Sequence, residues 1–169
     1  MATGVAWGLF TLFAIPLAII DALTARLPNL LMYPALGCSL AWVLLSSSLI
    51  VPPASFWAVA SPALAGSLIG GLTLLFVWYS GKRRARSRTG DRDALSPLGF
   101  GDVRLGFLLG IPTGLLGTMY PVIALLVGSV FAVGYGLARK PASGYPFGPF
   151  LILGAYLAGA VALAVDFLS

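Results

Sequence analysis

Two aspartates carry most of the chemistry this sequence can offer. Asp102 ends the stretch Gly99-Phe100-Gly101-Asp102 at the edge of a long apolar run, and Asp21 closes an earlier run shortly before Leu27-Pro28-Asn29. A carboxylate in such surroundings is costly and usually functional. Two of them in a poorly solvated site cannot both ionise cheaply, so they share one proton near neutral pH. The ionised acid can take a proton from water as it attacks a peptide carbonyl, while the protonated acid donates to the carbonyl oxygen. That chemistry calls for no metal and no cofactor. Gly99 and Gly101 lack side chains and leave room beside Asp102 for an extended peptide and a water. Pro28 reverses the chain, and Asn29 can cap the helix that follows.

The inventory excludes several other chemistries. The chain has no histidine and one cysteine, Cys38, so it cannot build a Cys/His zinc site, a Ser-His-Asp triad or an internal disulfide. Cys38 lies in an apolar stretch and reads as a small buried side chain. Asp166, near the end of the last apolar run, reads as an interfacial charge.

The elements that must position the two acids are membrane helices. Hydrophobic residues make up 59% of the 169-residue chain and charged residues only 9%, with a mean hydropathy of +1.00, well outside the balance of a soluble domain. A crossing takes ~20 apolar residues. The spacing of charges predicts an all-α, polytopic membrane protein, one membrane-embedded domain with six transmembrane helices near 4–21, 30–50, 56–79, 101–117, 119–138 and 147–166. Val51-Pro52-Pro53-Ala54-Ser55 breaks the second span from the third, and Gly117-Thr118 is the expected turn between the fourth and fifth. No Lys or Arg precedes the run from Val5 to Ile20, which reads as a retained span rather than a secretory signal.

In this arrangement all ten basic residues fall on one side, including the cluster in the loop 81–96, which reads as a mobile, basic surface loop. Positive-inside topology makes that side cytoplasmic and puts both termini outside. It accounts for the net charge of +5 better than a nucleic-acid partner does. Asp21 and Asp102 fall on the cytoplasmic side too.

Three motifs then coincide. The proline of Leu27-Pro28-Asn29 follows Asp21 by seven residues, Gly99 to Leu105 reads G-x-G-D-V-R-L, and Pro146-Phe147-Gly148-Pro149-Phe150 opens the last span. Together they closely resemble the type IV prepilin peptidases, membrane aspartic proteases of the GxGD type. The resemblance covers nearly the whole chain. It implies that Asp21 and Asp102 are the catalytic pair, cutting the short basic leader from prepilin or pseudopilin precursors at the inner face of a prokaryotic cytoplasmic membrane. Gly99, Gly101, Pro28, Asn29, Arg104, Gly148 and Pro149 would shape the site, with Arg104 at a position commonly lysine in the family. The paired-cysteine region of longer, methylating members is missing, so the chain resembles the short form, and the expectation is peptidase activity.

Other readings use the same residues. Asp102 alone could pair with Arg104 or Arg26, and Asp21 alone could mark the lipid interface. A small transporter could carry protons or cations on the two acids, but it would need polar groups through the membrane depth. A non-catalytic scaffold would tolerate the loss of either acid.

Overall fold

The computed structural model describes residues 2–24, 27–49, 56–89, 98–139 and 146–168. These form six helices in chain order: α1 (Ala2–Thr24), α2 (Asn29–Leu49), α3 (Phe56–Thr89), α4 (Phe100–Gly114), α5 (Tyr120–Arg139) and α6 (Gly148–Leu168). Among the described residues there is no strand.

Five of the helices bury one stripe and expose the rest, while α4 is enclosed on almost every side, with 11 of its 15 residues buried. On α1 the buried positions are Ala6, Phe10, Ala14, Leu17 and Asp21, recurring at helical spacing, while Leu12, Ile15, Ile19 and Leu23 face outward. On α5 the outward stripe is Leu126, Val130, Val133 and Leu137. Long apolar faces of this kind suit acyl chains, not water. Four helices, α1, α3, α5 and α6, contain stretches long and apolar enough to cross a membrane. At 1.5 Å per residue, the 15 residues of α4 reach only about 22 Å, against a hydrocarbon core of roughly 30 Å.

Glycines let two helix pairs meet backbone to backbone. Gly66 and Gly70 of α3 face Gly106, Gly110 and Gly114 of α4, and a Cβ added at Gly110 would lie 2.2 Å from the Gly66 carbonyl oxygen. Gly128 of α5 meets the backbone of Phe150 and Leu151 on α6, and a Cβ at Gly154 would sit 2.2 Å from the Ala124 oxygen. Lipid gives helices no hydrophobic reason to associate, so close packing of small residues must do it. Ser67 adds a hydrogen bond across the first seam, its hydroxyl donating to the Phe107 carbonyl at 2.9 Å. Phe10, Leu17, Met32, Leu105, Leu108, Leu109 and Leu151 fill the space among α1, α2, α4 and α6.

The course of the helices differs from the sequence reading in three places. Residues 81–89 continue α3 as helix instead of beginning a loop, because Lys, Arg and Ala are good helix formers and nothing in that stretch stops the helix. Residues 90–96 of that predicted loop lie outside the described residues, as do Val51 to Ser55 and Arg26. Cys38 is exposed, not buried, because the inward stripe of α2 runs through Met32, Ala35, Ser39 and Val43 and passes beside it. The fourth helix ends at Gly114, earlier than 117, and a turn centred on Gly117 (φ 142°) leads into α5. That backbone conformation favours glycine.

Candidate active site

Asp21 and Asp102 reach the same place from different helices. Asp21 extends the buried stripe of α1 by one more turn and is 3% exposed, and Asp102, in the first turn of α4, is 7% exposed. Both line one cavity of about 380 Å³, together with Leu27, Asn29, Gly99, Phe100, Gly101 and Arg104.

Neither acid is held by a cation among the described residues. Asp102 Oδ2 accepts the Gly99 N–H at 3.1 Å, and Asp21 Oδ2 accepts the Gly148 N–H at 2.9 Å. Both donors sit at helix starts, where backbone N–H groups have no partner within the helix. One carboxylate thus anchors the start of α4 and the other the start of α6. The second oxygen of each has no protein hydrogen bond among the described residues. Pairing of Asp102 with Arg104 is not what the geometry shows; Arg26 lies outside the described residues.

Arg104 is occupied elsewhere. Its guanidinium donates to Asn29 Oδ1, with the rings of Tyr33 and Phe100 5.1 and 5.0 Å away. Phe100 in turn meets Trp78 at 5.3 Å, and Lys82 lies 5.2 Å from the Trp78 ring. A run of rings and cations, Tyr33, Arg104, Phe100, Trp78 and Lys82, therefore joins α2, α4 and α3 beside the cavity. Asn29 does not act as the helix cap: it is the first residue of α2, and the Pro28 carbonyl accepts the N–H groups of Leu31 and Met32 instead.

The glycines act differently from one another. A Cβ at Gly101 would lie 2.9 Å from Leu27, so the space there is filled by the protein rather than left for a ligand. A Cβ at Gly148 would lie 2.8 Å from Asp21 Oδ2. Gly148→Ala should therefore displace the Asp21 carboxylate while the protein stays folded. A shift of ~1 Å can cost about 10²-fold in rate, so cleavage should fall by that order in the assay proposed below, with an unchanged circular dichroism spectrum.

The cavity brings together Asp21, Asp102, Gly99, Gly101, Asn29 and Arg104, with Gly148 joined through its hydrogen bond. Pro28 and Pro149 are not in its wall: Pro28 immediately precedes α2 and caps it through its carbonyl, and Pro149 is the second residue of α6, where a missing N–H does no harm. Leu27 and Phe100 lie inside the two sequence motifs without a role there, and Tyr33 lies outside them. Tyr33 lies one helical turn beyond Asn29, and that spacing was the available signal. Among the described residues no group of three or more His, Cys, Asp or Glu side chains is present.

The Arg104 contacts give a further expectation. Arg104→Lys keeps the charge but loses the flat guanidinium that suits both the rings and the amide. At an exposed site each cation–ring contact is worth about 0.5–1 kcal/mol, so Arg104→Lys and Asn29→Leu should each lower the thermal midpoint in detergent by a small amount. Equal stability of Arg104→Lys and the parent would show that charge alone suffices.

Comparison with family models, with curated protein sequences and with solved structures finds no match to this chain.

Proposed function

We infer that the chain is a membrane aspartic endopeptidase of the prepilin-peptidase type, cutting basic leaders from prepilin-like or pseudopilin precursors at the cytoplasmic membrane face. The observation that carries this reading is the shared cavity of Asp21 and Asp102, each acid tied to a backbone N–H and neither neutralised by a described cation. The three sequence motifs supply the substrate class. In this proposal α2 and α4 complete six crossings, and Lys82, Arg83, Arg84, Arg86 and Arg104 mark the cytoplasmic end, with both termini outside.

In the mechanism, one ionised aspartate takes a proton from a water in the cavity as its oxygen bonds to the scissile carbonyl carbon. The protonated aspartate gives its proton to the carbonyl oxygen, producing a neutral tetrahedral diol. Collapse of that diol breaks the C–N bond: one hydroxyl proton returns to an aspartate, and the acid that gained water's proton delivers it to the leaving amine. Atoms and charge balance, and the pair again holds one proton.

A transporter reading has less support. Of the other buried polar side chains among the described residues, Ser67 donates to the Phe107 carbonyl and Thr113 to the Leu109 carbonyl; Ser39 on α2 has no partner, but it is a single uncharged hydroxyl and makes no chain of polar groups from the acids. The proposed activity is tested by incubating the purified protein in lipid with a precursor peptide carrying a basic leader and an apolar segment. Mass spectrometry should find one cut between the two. An intact peptide across several such precursors would overturn the proposal.

A further inference from the structure

The continuation of α3 past the apolar run creates a second feature, independent of the two acids and of the peptidase reading. Phe76, Tyr79, Ser80, Arg83, Arg84 and Ser87 line a cavity of about 520 Å³ along one side of this helix. Their spacing of three and four residues keeps them on a single face. Leu72 is one turn earlier on the same face and is 52% exposed, as are Phe76 at 72% and Tyr79 at 60%. Along the helix the order is aliphatic, aromatic, hydroxyl and guanidinium.

We propose that this face is a binding site for one anionic phospholipid of the surrounding membrane. The depth order matches that molecule: acyl chain along Leu72 and Phe76, glycerol level at Tyr79 and Ser80, phosphodiester between Arg83 and Arg84. Arginine forks suit phosphate oxygens. Aromatic side chains favour the headgroup boundary, and basic residues near an anionic leaflet are drawn to it. Two neighbouring cations are engaged elsewhere, Lys82 over the Trp78 ring and Arg104 with Asn29. Arg83 and Arg84 have no carboxylate partner among the described residues and open onto the cavity. A free phosphate would use only the guanidinium end of the face, whereas a phospholipid uses all of it.

Native mass spectrometry of the full chain in a neutral detergent, offered equal amounts of phosphatidylglycerol and phosphatidylcholine with matched chains, tests the site. One phosphatidylglycerol should be retained at least fivefold over phosphatidylcholine. Arg83→Gln and Arg84→Gln should each reduce that preference at least threefold, and the double variant should abolish it with an unchanged circular dichroism spectrum. Lys82→Gln removes the same charge from another face and should leave the preference intact. Equal retention of the two lipids by the parent protein would overturn the site, and so would an equal loss in Lys82→Gln. Displacement of the lipid by millimolar inorganic phosphate, or by an acidic peptide at micromolar concentration, would overturn the phospholipid assignment.

Discussion

Asp21→Asn and Asp102→Asn should each reduce precursor cleavage by about 10²–10⁴-fold, the range set by losing a positioned acid or base. The fold should survive, because an asparagine Oδ1 can accept the same N–H, from Gly148 at position 21 or from Gly99 at position 102. An amide holds the volume and the hydrogen bond but cannot exchange the proton. The double variant should be no worse than either single one, since two acids sharing one proton act as a unit. Initial rates on the precursor peptide, with circular dichroism as the control for folding, measure all three. Undiminished cleavage by either single variant would end the paired-acid mechanism.

Gly110→Val should be among the most damaging substitutions in the protein, although it touches neither acid. Its Cβ would come within 2.2 Å of the Gly66 carbonyl oxygen and 2.7 Å of the Ser67 Cα, and backbone cannot rotate aside as a side chain can. Overpacking usually costs about 1–3 kcal/mol, and here α4 must separate from α3 along its length. That movement shifts Asp102, on the same helix, relative to Asp21, so stability and cleavage should fall together. Gly37→Ala is the matched control, since nothing lies within 4 Å of a Cβ there. It should leave the protein equal or more stable by up to about 1 kcal/mol, as expected for glycine replaced inside a helix. Thermal unfolding in one detergent for both variants decides the matter: similar midpoints would mean that the α3–α4 seam is not a close backbone contact.

The position of Asp21 was open to inspection in the sequence, because it prolongs the spacing of Phe10, Ala14 and Leu17 and must share their inward direction. The glycine seam was equally visible as a four-residue spacing, Gly66 to Gly70 and Gly106 to Gly110 to Gly114, but single glycines in an apolar run look like kinks until their partner helix is known. The helical state of 81–89 was hidden by charge. Polar composition marks where the bilayer ends and says nothing about where a helix ends. The partners of Asn29 and Gly148 were out of reach, since each lies far along the chain, at Arg104 and Asp21. Local spacing cannot specify which loops a bundle brings together.

The Gly148 to Asp21 hydrogen bond spans 127 positions and ties the first helix to the start of the last. During synthesis the N-terminal acid is therefore in the bilayer well before the group that fixes it has left the ribosome. A chain interrupted before α6 would hold an untethered carboxylate. Under the proposed activity, that delay would spare precursors in the same membrane from attack by half-made copies.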